Sequence, residues 1–204
     1  KDAPPGFSLS GSSVGVNQAK VQFTLKAPAQ PTDEPVSISI EGSALIDGKR
    51  VTHDAEPAED MMQAFIYRHL VTSQELAVSV NAMRRPFLAS TFKILSPTPV
   101  KITPGGTARV RVSAPPGNLS DRFNLKLTGA PEGISLVNTR PVSSGLELVF
   151  TFDKEKVKPG SAGNLICEIV PQFKGQNEKQ KKAVNQVRRD AAATLPAISY
   201  IVTE

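Results

Sequence analysis

Period-two alternation of apolar and polar residues runs through most of the chain. Val21, Phe23 and Leu25 alternate with Gln22, Thr24 and Lys26, and Val36, Ile38 and Ile40 alternate with Ser37, Ser39 and Glu41. Ala108, Val110 and Val112 are interleaved with Arg109, Arg111 and Ser113, and Phe123, Leu125 and Leu127 with Asn124, Lys126 and Thr128. Such runs place apolar side chains on one sheet face and polar ones on the other. Turn chemistry separates them at Asp47-Gly48, Pro104-Gly105-Gly106, Pro115-Pro116-Gly117 and Lys158-Pro159-Gly160. Short strands at this spacing predict an all-β chain of antiparallel sandwiches.

One segment is ambiguous. Glu59–Leu70 has apolar residues at 61, 62, 65, 66 and 70, a spacing that also fits a helical stripe with an acidic first turn. The clean alternation of Leu76, Val78 and Val80 favours a strand over Gln63–Leu70, paired with Glu75–Val80 across a turn at Val71–Gln74. A short helical turn at Pro57–Met61 would precede it.

Ser96-Pro97-Thr98-Pro99 interrupts the patterning, and proline holds its predecessor extended, so this stretch reads as a stiff linker. It predicts two domains, residues 1–94 and 95–204. Self-comparison supports a duplication. Ala3-Pro4-Pro5-Gly6-Phe7-Ser8-Leu9 aligns with Ala130-Pro131-Glu132-Gly133-Ile134-Ser135-Leu136, and Phe23-Thr24-Leu25 aligns with Phe150-Thr151-Phe152 at the same offset. About 35 residues of strand-forming sequence precede this element in the second copy, and almost none precede it in the first. Either the first domain is a shorter sandwich or the chain is a fragment of a longer protein; the second is the expectation, with a first sandwich that lacks N-terminal strands and exposes a sheet edge or relies on a compensating strand.

Composition narrows the chemistry. One cysteine cannot form an internal disulfide or a cysteine-rich zinc site, and two histidines leave little for imidazole chemistry. No run of 18 apolar residues is present, so no membrane-spanning helix is expected, and Lys1–Gly6 lacks the apolar core of a signal peptide. The net charge of +5 is concentrated in residues 174–190, where Lys174, Lys179, Lys181, Lys182, Arg188 and Arg189 face only Glu178 and Asp190. A basic tract can bind an anionic polymer by counterion release. With no aromatic residue in it to stack on bases, nucleic acid is not the expected partner. The residues expected to touch an anionic polymer are Lys179, Lys181, Lys182, Arg188 and Arg189, set in a basic loop between the last two strands.

Three further signals reduce to ordinary structure. Gly11-Ser12-Ser13-Val14-Gly15 matches the G-x-S-x-G string of serine hydrolases, but that chemistry needs a strand-to-helix turn, and a strand follows here. His53, Asp54, Glu56, Glu59 and Asp60 form an acidic cluster without calcium-loop spacing, interrupted by Pro57, and read as a solvated loop. His69 reads as a sheet residue. Cys167 lies on the apolar phase with Leu165 and Ile169, as a small core residue would. No catalytic residue, cofactor or metal is expected.

Pro57–Val71, followed by Gln74-Glu75-Leu76, resembles a stretch in large secreted proteins of planctomycete-type bacteria, where it follows pre-peptidase C-terminal-type β-sandwich modules. Ser96-Pro97-Thr98-Pro99-Val100, Gly105-Gly106-Thr107-Ala108, Lys156–Gly160 with Gly163-Asn164-Leu165-Ile166, and Leu195-Pro196-Ala197-Ile198 resemble the same proteins. The resemblance covers most of the chain and departs at 174–190, which is longer and more basic than the pattern. It implies two tandem immunoglobulin-like β-sandwich domains at the C-terminal end of an exported protein, and it carries no active site to transfer. The expected function is a non-catalytic structural, adhesion or spacer module of a secreted or cell-envelope bacterial protein. Its partners would be other domains of that protein or an extracellular polymer. The alternative is a carbohydrate- or anionic-polymer-binding accessory domain of a larger secreted enzyme, against which the absence of tryptophan counts.

Overall fold

Alternating sequence becomes strand throughout. The computed structural model describes residues 3–15, 18–63, 67–80, 92–114, 123–171 and 193–204, and every regular element among them is a β-strand. Among the described residues no helix is long and apolar enough to cross a membrane. By proximity the chain divides into two compact units, one formed by Lys1–Phe7 and Ala27–Arg84, the other by Ser8–Lys26 and Arg85–Glu204.

The second unit begins with β1 (Ser8–Ser10) and β2 (Thr24–Lys26), an antiparallel pair with Leu9 opposite Leu25. A boundary at Ser96–Pro99 assigns this segment to the first domain; hydrogen bonds place it with the second unit. Asn164 Nδ2 donates to the carbonyls of Gly11 (2.6 Å) and Gln22 (2.7 Å), while its Oδ1 accepts from Ser199 Oγ at 2.8 Å. The amide of Ala197 donates to Thr24 Oγ1 at 2.9 Å.

The first unit is a stem with two arms. Its stem pairs β3 (Val36–Ser37) with β8 (Ala77–Val78) and is extended by the amides of Thr32 and Ile38, which donate to the carbonyls of Val80 and Leu76. One arm is the hairpin of β4 (Glu41–Ile46) and β5 (Lys49–Asp54), turning at Asp47-Gly48, where both residues have positive φ as a primed turn requires. The other pairs β6 (Ala58–Gln63) with β7 (Tyr67–Thr72). The strand reading of this region holds over the helical one where it is described, residues 64–66 lying outside the described residues; Val71 and Thr72, expected in the turn, belong to β7, and two further details change. Pro57–Met61 contains strand, not a helical turn, and β7 takes β6 as partner while Ala77–Val78 pairs with β3. Period two identifies a strand without choosing its neighbour; Asp60, opposite Leu70, reaches diagonally across β6–β7 to Arg68 Nε at 3.2 Å, a pairing that alternation does not encode. The described strands of this unit form three two-stranded sheets, and Ile38 is its one buried apolar side chain among the described residues.

In the second unit the strands are β9 (Val100–Ile102), β10 (Thr107–Ser113), β11 (Phe123–Thr128), β12 (Ile134–Val142), β13 (Gly145–Phe152), β14 (Ala162–Pro171), β15 (Ala193–Thr194) and β16 (Ile198–Val202). One sheet has the order β10-β13-β12; the other is β11-β14-β16-β9, with β15 also on β14. Only β9 runs parallel to its neighbour, β16. The chain at 93–96 adds to the edge of β10: Ile94 bridges Val112, and the amides of Leu95 and Ser113 donate to the carbonyls of Arg111 and Lys93. Ser96–Pro99, expected as a linker between domains, thus carries the chain from one sheet to the other within this unit. Proline suits that crossing because it needs extended backbone without a ladder donor.

The two sheets enclose one core. Val110, Val112, Leu148, Phe150 and Phe152 from the first meet Leu165, Cys167, Ile169, Ile198 and Val202 from the second, all essentially inaccessible to solvent. Phe152 and Tyr200 meet within this core, ring centroids 5.9 Å apart and tilted by 53°. Each large apolar side chain removed from water here contributes about 1.5–3 kcal/mol.

Candidate functional site

Strand alternation that sends Val110, Val112, Leu146 and Leu148 inward sends their polar neighbours to the outer face of the three-stranded sheet. On β10 these are Arg109 and Arg111, exposed; on β13, Glu147. Opposite Glu147 on β12 stands Arg140, and Arg111 is its partner on the other side. Arg140 arrives there through a bulge: the register shifts between Leu136 and Asn138, and every later residue of β12 changes face.

Glu147 is only 4% exposed. Its burial comes from the flanking guanidiniums: Arg140 Nε donates to Glu147 Oε1 at 2.7 Å, Arg140 Nη2 pairs with the same oxygen, and Arg111 Nε lies 3.8 Å from Oε2. Buried carboxylates are tolerated when paired in this way. Glu147 is the sole carboxylate in β10, β12, β13 and the added 92–95 segment, which between them carry Lys93, Arg109, Arg111 and Arg140. The outer face therefore holds a surplus of cations around one pinned anion.

A second feature lies between the free edges of β11 and β12. A cavity of about 330 Å³ opens there over an apolar floor that includes Phe92, Phe123, Leu125, Leu136 and Ile169, with Asn124 and Asn138 at its rim.

No family model matches the chain, and no curated protein or solved structure matches it either.

The residues singled out from sequence fall as follows. Lys179, Lys181, Lys182, Arg188 and Arg189, and the rest of the basic loop, lie outside the described residues. Ser13 is exposed on the loop between β1 and β2, in a unit whose sequence contains no histidine. His53 and Asp54 lie in β5 and Glu59 and Asp60 in β6, so the acidic cluster is mainly strand and not a loop; no group of three metal-ligating side chains is brought together among the described residues. His69 lies in β7, as expected of a sheet residue.

Cys167 is fully buried on the core side of β14, and burial pushes its thiol up to about 12 from 9.0. The folded chain thus holds the neutral thiol where the unfolded chain ionises. This contribution is complete below pH 9 and is lost as pH rises toward 12. Urea unfolding at pH ~10 should show wild type losing stability on the order of 1 kcal/mol relative to pH ~8 that a Cys167→Ala variant keeps. Parallel pH profiles for the two proteins would show the thiol to be solvated.

Proposed function

We propose that this chain is a non-catalytic structural or adhesion module of a secreted or cell-envelope bacterial protein, with an immunoglobulin-like sandwich as its folded centre. The observation that carries this reading is the sheet order. A β10-β13-β12 sheet faces a β11-β14-β16-β9 sheet across one apolar core. Hairpin β12–β13 lies in one sheet while the chain crosses between sheets from β10 to β11 and from β13 to β14, which is the connectivity of immunoglobulin-like sandwiches. Such folds host many functions, so the reading rests also on what the polar groups do. Asn164 and Ser199 tie down the Ser8–Lys26 segment, and Glu147 links three strands. In both cases the side chains are engaged in holding strands and segments together. The resemblance to exported proteins supports the location.

Surface labelling tests this directly. The protein is expressed from its full reading frame in the source bacterium, and intact cells are treated with a membrane-impermeant biotin reagent. The module reading expects the labelled protein in the envelope or medium. Confinement to the cytoplasm would refute it.

A further inference from the structure

We propose that the outer face of the β10-β13-β12 sheet binds an anionic polysaccharide, with Arg109, Arg111 and Arg140 taking its sulfate or carboxylate groups. This deepens the adhesion reading above by naming a surface and a ligand chemistry.

The charge on this face is unbalanced by construction. Beside Lys93, Arg109, Arg111 and Arg140 these strands carry one carboxylate, Glu147, and it is already covered by Arg111 and Arg140. Arg140 spends two of its donor groups on Glu147 Oε1, and its side chain remains half exposed; a guanidinium has five N–H donors, so others stay open to a ligand. The Arg111 side chain is 64% exposed. Among the described residues Arg109 makes no ion pair. Arginine in place of lysine matters, because its planar fork meets the two oxygens of a sulfate or carboxylate at once. Glu147 also fixes the side chains beside it, so less rotamer freedom remains to be lost on binding.

Spacing suits a linear polymer. Residues two apart on a strand are separated by about 6.7 Å, and Arg111 and Arg140 flank one intervening strand, about 10 Å apart. Three cationic groups therefore lie across an open sheet surface where an extended polyanion can touch them together. Nucleic acid is the poorer fit: this face carries no aromatic side chain for stacking and is a broad sheet, not an element shaped to enter a groove.

Isothermal titration of the full chain with heparin, with polygalacturonate and with duplex DNA tests the proposal. Arg109→Glu is the informative variant, because Arg109 has no partner in the Glu147 cluster and its replacement leaves the thermal transition in place. The expected result is polysaccharide binding at low salt that Arg109→Glu weakens about tenfold or more, with a shallower salt dependence. Arg109→Lys should fall between the two, and the loop variant carrying Lys179, Lys181, Lys182, Arg188 and Arg189 changed to Ser should keep the Arg109-dependent part. The heparin and polygalacturonate arms decide whether sulfate or carboxylate is preferred. Equal binding by wild type and Arg109→Glu, binding to neither polysaccharide, or tighter binding to DNA would each overturn the proposal. Surface labelling of cells is independent of this outcome, so a failed titration with labelled cells removes this inference alone.

Discussion

Phe150→Ala should remove about 3–5 kcal/mol of stability, the usual cost of deleting a buried phenylalanine. The ring has no solvent exposure and sits on β13, the central strand of its sheet, with Ala108 beside it on β10 and Leu136 beside it on β12. Ala108 leaves room for the ring and is too small to fill the space that the ring vacates. Domains of ordinary stability have about 5–15 kcal/mol in total, so this one change takes a large share. Urea unfolding of the full chain, followed by far-UV circular dichroism, should show a lower midpoint with an unchanged slope. Leu45→Ala and Leu70→Ala serve as the comparison. Both side chains are about three-quarters exposed on the hairpin arms, and their loss should stay within about 0.5 kcal/mol. A Phe150→Ala effect as small as theirs would mean that the two sheets do not close over this ring.

Gly145→Ala should be nearly as damaging, for a backbone reason. Gly145 opens β13 directly after the two-residue Ser143-Ser144 turn, and it pairs with Val142 on one side and Ser113 on the other. Its φ is +142°, and an added Cβ would sit 2.2 Å from the Val112 carbonyl oxygen and 2.7 Å from the Ala114 nitrogen. Both obstacles are backbone of the neighbouring strand, which cannot rotate aside. The strained conformation costs about 1–3 kcal/mol, and forcing the strands apart adds a further ~1–3 kcal/mol. For a chain of this size, each kcal/mol lowers Tm by about 2–4 °C. Gly160→Ala separates the two contributions, because Gly160 has φ +79° and nothing within 4 Å of the added Cβ; it should lose only the conformational part, about 1–2 kcal/mol. Equal Tm values for the two alanine variants in a calorimetric scan would show that the β10–β13 ladder ends short of Gly145.

The second unit was largely legible because its core strands keep strict alternation. Ala108, Val110 and Val112 face inward and Arg109 and Arg111 outward, as period two requires. Cys167 follows the same rule. Three things were hidden for physical reasons. Arg140 shares the inward phase of Ile134 and Leu136 by simple counting, and only the bulge at Val137 turns it outward to Glu147. That bulge hides the cationic sheet face from simple counting, while most of the net charge lies in residues 174–190. The polar phase Arg109, Arg111 was the available signal. The placement of Ser8–Lys26 depends on the side chain of Asn164, more than 140 residues away in sequence, and no local pattern carries such a bond. The prolines at 97 and 99 looked like a linker because crossing between sheets and leaving a domain make the same local demand for extended, unpaired backbone.

The first unit was less legible because its strands lack a strong apolar face. Leu45, Ile46, Met61, Met62, Tyr67 and Leu70 are all exposed, and isolated two-stranded hairpins are marginal in water. The fold is accordingly held by the core of the second unit. Native-state hydrogen exchange of the full chain measures this residue by residue. The slowest amides should lie in β10, β13, β14 and β16, exchanging only through global unfolding, with β4–β7 exchanging orders of magnitude faster. Equal protection in β4–β7 and in the sandwich strands would contradict the account.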